Sequence, residues 1–205
     1  MKTLYLSLLL LCFGFTLSAQ PAKKIAFHAE GGVKYNVKSH KYAEDDGFSG
    51  AQFFLSGLYQ FNENFSAGVG AGVNIYTRYV AYFDGITSVP VYANVLCKLP
   101  SSGDFIPFID MKLGYGIVSR NYVASPEGGI APFQEDDFNV KNSGGIYASP
   151  SVGLLFPLNN TSISVSLTYD LQVMKAELTQ LSGEKISHQT MTHSNTIGLR
   201  IGYMF

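Results

Sequence analysis

Beyond residue 24 the chain alternates between apolar and polar positions with a period of two. The clearest stretch is Ile163-Ser164-Val165-Ser166-Leu167-Thr168-Tyr169-Asp170-Leu171-Gln172-Val173, apolar or aromatic at every odd position and polar at every even one. Ile197-Gly198-Leu199-Arg200-Ile201-Gly202-Tyr203-Met204-Phe205 repeats the pattern, with glycine as well as arginine among its even positions. Successive side chains of a strand point to opposite faces, so this period predicts strands with one apolar face. Eight strands are predicted, near 24–37, 50–62, 65–79, 89–99, 105–119, 145–157, 161–177 and 193–205. Between them, short turns (Asn62-Glu63-Asn64, Pro100-Ser101-Ser102-Gly103-Asp104, Leu158-Asn159-Asn160) alternate with long polar segments at 38–49, 80–88, 120–144 and 178–192. Asn, Asp, Ser, Gly and Pro mark turns because they tolerate or preset turn backbone angles. In an up-and-down meander this alternation places every long loop at one end, and every tight turn and both termini at the other.

The two faces differ in chemistry. One carries Ile25, Phe27, Val33, Tyr35, Val69, Val73, Ile75, Ile109, Met111, Leu113 and Tyr115, with almost no charge. The other carries His28, Glu30, Lys34, Gly68, Gly70, Gly72, Asn74, Arg78, Asp110, Lys112, Asp170 and Arg200. A soluble ligand-binding barrel would turn its apolar face inward and its charges outward. Small residues with a few opposite charges suit a crowded polar interior instead, in which Glu30, Asp110 and Asp170 pair with Lys34, Arg78, Lys98, Lys112 and Arg200. The apolar face then meets lipid, with Tyr59, Phe61, Phe65, Phe156, Tyr203 and Phe205 at the interface. In hydrocarbon an open sheet edge leaves backbone groups unpaired, so the sheet must close. The predicted fold is therefore all-β: an eight-stranded antiparallel up-and-down transmembrane barrel, its interior filled by side chains and without an open pore.

Composition narrows the field further. Only 14% of the 205 residues are charged, the net charge is −1 and there is no basic patch, which excludes a disordered or nucleic-acid-binding chain. Met1-Lys2-Thr3 followed by the apolar run Leu4–Leu17 and by Leu17-Ser18-Ala19 reads as a secretory signal peptide (residues 1–19), cut after Ala19. The run is too short to span a bilayer as a helix, which takes ~20 residues. Leu11 before Cys12 is too large for a lipoprotein signal. Cleavage leaves the barrel domain, 20–205, with one cysteine, Cys97, which cannot form an internal disulfide and suits strand packing.

With its signal ending Leu17-Ser18-Ala19-Gln20, its alternating tight turns and long loops, and its ending Leu199-Arg200-Ile201-Gly202-Tyr203-Met204-Phe205, the chain resembles the small outer-membrane β-barrels of Bacteroidetes-type bacteria, within the OmpA/OmpX-like group. The terminal aromatic, with apolar residues at every second position before it, is similar to the assembly signal of such barrels. The resemblance implies that Leu199, Ile201, Tyr203 and Phe205 are read by the barrel-insertion machinery of a Gram-negative envelope. It places the chain in the outer membrane, against lipid and lipopolysaccharide, with no peptidoglycan-binding domain after the last strand.

No catalytic, cofactor or metal site stands out. Gly68-Val69-Gly70-Ala71-Gly72 lacks the GxGxxG spacing and a following helix, so its glycines read as room for large side chains opposite. His28 lies on the polar face, and His40, His188 and His193 lie in or beside loops without zinc-site spacing. Glu44-Asp45-Asp46 and Glu135-Asp136-Asp137 are acidic loop runs without a calcium-loop pattern. An acyl hydrolase or transferase acting on lipid A would need a serine and histidine on one strand face. His193 is instead followed two residues on by Asn195, Ser194 points to the other face, and Ser187 beside His188 fails in the same way. Loop 120–144, with Tyr122, Phe133 and Phe138 among Gly, Pro and acidic residues, reads either as a contact surface for an unidentified protein or as a loop without a partner. The expectation is an integral barrel of structural, adhesive or complex-subunit role, against two alternatives: a lipid A-modifying barrel enzyme and a soluble periplasmic barrel.

Overall fold

The computed structural model describes residues 25–37, 48–78, 86–118, 121–124, 138–180 and 188–205. Ten strands follow in chain order: β1 (Ile25–Asn36), β2 (Phe48–Gln60), β3 (Phe65–Arg78), β4 (Ile86–Lys98), β5 (Ile106–Val118), β6 (Asn121–Ala124), β7 (Phe138–Ser143), β8 (Gly145–Leu158), β9 (Thr161–Gln180) and β10 (His188–Met204). Eight of them close into an antiparallel barrel in the order β1-β2-β3-β4-β5-β8-β9-β10, with β10 pairing back onto β1. Phe205 completes the seam: its N–H donates to the Phe27 carbonyl and its own carbonyl accepts from the Phe27 N–H, both at 2.9 Å.

The tight turns hold their shape through the residues that mark them. The Asn62 Oδ1 accepts from the N–H groups of Asn64 (2.9 Å) and Phe65 (2.7 Å), closing the β2–β3 turn. Between β8 and β9 the backbone turns through Asn159 at φ 51°, a left-handed angle that asparagine tolerates better than most residues.

The ends facing the long loops differ from expectation. Segment 120–144, expected as one loop, contains β6 and β7. β9 runs to Gln180 and β10 starts at His188, so His188 lies within a strand rather than in a loop, and His193 lies inside β10 rather than at its start. β6, β7 and the outer parts of β9 and β10 form a four-stranded continuation of the barrel wall. Here the ladder continues while the apolar alternation stops, because backbone pairing does not require one greasy face. Register also slips. From Ser143 opposite Lys175 to Tyr147 opposite Gln172, four steps on one chain match three on the other, a β-bulge at Gly144-Gly145. That slip breaks the regular period by which a strand is recognised.

Candidate functional site

The outer face of the barrel is an apolar belt. Ile25, Val33, Phe53, Leu55, Val69, Leu113, Ile146, Val152, Leu167, Leu199 and Ile201 are all exposed. Aromatic residues gather at its two rims. At the tight-turn end Phe27, Phe205 and Tyr203 stack with centroids 5.8 Å apart, and Tyr59, Phe61 and Phe65 pack at 5.0 and 5.5 Å. At the loop end Tyr35, Tyr115 and Tyr169 are exposed. Ten residues separate Phe105 from Tyr115. At ~3.4 Å per residue and a tilt of ~40° the belt is about 26 Å tall, close to the ~25 Å of a transmembrane barrel.

The interior is layered. Nearest the tight turns, Ala26, Leu58, Leu96, Phe108, Leu155 and Met204 form a buried apolar layer. Above it lie the charges. Lys112 Nζ contacts Glu30 Oε2 at 2.8 Å and also pairs with the Asp110 carboxylate. Arg200, 0% exposed, donates through Nη2 to Asp170 Oδ1 at 2.6 Å, to Ser149 Oγ at 2.6 Å and to Gln52 Oε1 at 3.2 Å. Asp170 also accepts from the Tyr147 hydroxyl at 2.9 Å. Phe54, Tyr92 and Tyr147 pack together at the same depth, and the Arg200 guanidinium lies 4.4 Å from the Phe54 ring centroid. Further toward the loops, Lys34 Nζ sits 3.7 Å from the Tyr76 ring centroid. The structure thus brings Glu30, Asp110, Lys112, Asp170 and Arg200 into one buried set and leaves Lys34 apart from their carboxylates. Arg78 ends β3, and its side chain lies outside the described residues. Lys98 is half-buried at the tight-turn rim.

The glycine run of β3 makes room for rings. A Cβ at Gly70 would fall 2.6 Å from the Tyr92 ring, and one at Gly72 would overlap Phe54. Gly70 and Gly72 thus serve the packing of those rings.

One constellation escaped the sequence reading. His28 Nε2 lies 2.9 Å from Ser164 Oγ, and His28 Nδ1 lies 3.7 Å from Glu30 Oε2, the residue types of a hydrolase triad. The two partners are 136 residues apart, so no local motif announces them. Strand register could have found them: Glu30 faces Gly202, which faces Ser164, and the missing side chain at Gly202 lets His28 and Ser164 meet. The arrangement does not support acyl transfer. All three side chains are buried, and a Cβ at Gly202 would fall 2.6 Å from His28 Nε2, so an acyl group has no space. The neighbouring backbone N–H groups belong to the ladder and cannot stabilise an oxyanion.

Of the rim candidates, Ser194 is buried inside the barrel; His40, Ser187, the side chains of His188 and His193, and the acidic runs at 44–46 and 135–137 lie outside the described residues, as does the leader, 1–19. Among the described residues no cluster of three or more His, Cys, Asp or Glu is placed to hold a metal. Cys97 lies at the tight-turn end of β4 and forms no disulfide among the described residues.

No protein-family profile and no curated protein matches the chain. Solved structures do. The Neisserial surface protein A is 12% identical, with a TM-score of 0.51 over 90% of this chain and 98% of that one. The outer membrane protein Ail of Yersinia pestis is 17% identical, with a TM-score of 0.43 over 89% and 100%. The outer membrane enzyme PagL is 13% identical, with a TM-score of 0.39 over 88% and 98%. At these identities the likeness is one of fold, and only the first score reaches one half. The chain shares with that surface protein the architecture of a small antiparallel β-barrel closed by its first and last strands.

Proposed function

We propose that this protein is an integral outer-membrane barrel that conducts nothing and carries its task on the loop-side sheet and loops. The orientation of its faces carries the reading. Isoleucine and leucine line the outside while Arg200, Lys112 and Asp110 are sealed inside, the reverse of what a soluble ligand-binding barrel requires. Export would follow cleavage near Ala19. Insertion would use the terminal Leu199, Ile201, Tyr203 and Phe205, at the seam where Phe205 meets β1. The buried apolar layer and the packed rings argue against a pore.

The extended sheet supports the interaction role. Eleven residues separate Tyr169, at the outer rim, from Gln180, the end of β9, so the sheet rises roughly 25–30 Å above the belt at barrel tilt. A sheet held that far from the membrane, carrying segment 125–137 between β6 and β7, suits a structural, adhesive or complex-subunit role. The test has two parts. Membrane fractionation should leave the protein in the pellet until detergent is added, and protease applied to intact cells should cut a tag placed within 125–137. Release without detergent, or a tag protected until the cells are broken, would overturn the assignment. Crosslinking from the tagged segment, followed by mass spectrometry, then identifies a protein partner or shows that none is held.

A further inference from the structure

Within the barrel one cation stands apart. Among the described residues Glu30, Asp110, Asp170, Lys112 and Arg200 contact one another, whereas Lys34, 3% exposed, feels the charge of Asp170 but hydrogen-bonds to none of these carboxylates. Its ammonium lies over the Tyr76 ring, and Nζ has no hydrogen-bond partner. Two neighbouring amides share that condition. Gln52 uses its Oε1 to accept from Arg200, which fixes its Nε2 as a donor, and that donor is unpartnered. Both side-chain polar atoms of Asn74 are unpartnered too, and both residues are 0% exposed.

Register shows that these groups form one patch. Lys34 faces Gly50, which faces Tyr76, so the lysine crosses β2 over a position with no side chain to reach β3. One interior position closer to the tight turns, Gln52 faces Asn74 directly. The ammonium and the two amides therefore lie on three adjacent strands within one or two residues of each other. Buried donors that lack acceptors are costly, at about 1–3 kcal/mol each and more for a charge. In this patch unpartnered donors (Lys34 Nζ, Gln52 Nε2 and Asn74 Nδ2) outnumber the one unpartnered acceptor of the three residues, Asn74 Oδ1.

We propose that Lys34, Gln52 and Asn74 form a binding site for a small free oxyanion, a carboxylate or phosphate group, entering from the loop end. Lys34 supplies the charge, and the two amides supply directed N–H groups. The barrel wall separates the patch from lipid, so the ligand is a solute rather than a lipid headgroup. The apolar layer of Leu58, Leu96, Phe108 and Leu155 lies between the patch and the tight-turn end, so the ligand would bind and leave by the loop end rather than pass through.

The test uses the full mature barrel, folded in a phosphate-free maltoside detergent and labelled with ¹⁵N. Sodium acetate and inorganic phosphate are titrated to 100 mM against sodium chloride of matched ionic strength, and the side-chain amide signals of Gln52 and Asn74 are followed. Saturable shifts with acetate or phosphate, absent with chloride, are expected. Lys34→Met should weaken the response at least tenfold, and Lys34→Arg should retain it; gel mobility before and after heating reports folding of each variant. Wild-type signals that do not move, or that move equally with chloride, would overturn the proposal whatever the variants do. So would an unchanged response in folded Lys34→Met.

Discussion

Ile201→Arg tests the placement of the barrel in lipid most directly. Ile201 is 60% exposed on the outer face of β10. Four residues toward the tight turns lies Phe205, in the aromatic rim, and four residues the other way lies Ile197, which pairs with both Tyr35 and Tyr169 of the opposite rim. Four residues at ~3.4 Å and ~40° tilt are about 10 Å, so Ile201 sits near the bilayer midplane. An arginine there should cost about 2–4 kcal/mol, against ~0–1 kcal/mol for the same change near the interface, as in Val37→Arg. Converted at 1.4 kcal/mol per decade, the midplane cost is a drop of about 30- to 700-fold in the folding equilibrium. On a water-facing surface the change would fall within about ±0.5 kcal/mol. The assay is urea unfolding in phospholipid vesicles, read by the heat-dependent gel mobility of the folded barrel or by tyrosine fluorescence, since the chain has 13 tyrosines and no tryptophan. A midpoint for Ile201→Arg that matches both wild type and Val37→Arg would refute the lipid-facing assignment.

Other substitutions probe the interior and the seam. Asp170→Asn removes the carboxylate facing Arg200 and should destabilise by about 3–5 kcal/mol in the same assay; adding Arg200→Met should recover part of that loss, and a strictly additive double variant would contradict the pairing. Gly70→Ala sets a methyl group against the Tyr92 ring and the Leu55 carbonyl, and should cost about 1–3 kcal/mol in urea unfolding, whereas an unchanged midpoint would show that the ring yields. Deleting Phe205 removes two seam hydrogen bonds and the stack on Phe27, so the fraction migrating as folded barrel should fall in cells and in refolding reactions; undiminished heat-modifiable migration would contradict a role in closure.

The barrel was legible wherever lipid imposes a rule. A membrane-facing strand must be apolar at every second residue, so stretches such as 161–173 announce both strand and face. Turn residues Asn62 and Asn159 fixed where the strands reverse, because their side chains and backbone angles perform the turn. Legibility ended at the outer rim. Beyond Val173 the alternation lapses, and β9, predicted to end at 177, runs on by backbone pairing through Leu178-Thr179-Gln180, which read as loop. The interior was half legible: parity placed Glu30, Lys112 and Arg200 on one face, but which groups meet depends on strand register. His28 reaches Ser164 across Gly202, and Lys34 reaches Tyr76 across Gly50. Both glycines are ordinary residues in the sequence and become openings only when the strands lie side by side.

The ladder between β9 and β10 has a mechanical consequence. Its seventeen residue pairs run without a break from His188 opposite Leu178, at the outer tip, to Met204 opposite Ser162, beside the inner rim. The two longest strands are therefore one continuous beam, which in the proposed membrane setting would be anchored by the hydrocarbon at one end. A load on the tip is carried lengthwise into the barrel wall, with no hinge between them to absorb it. Whatever grips that tip pulls on the whole cylinder, as a rope pulls on a mooring post set deep in the ground.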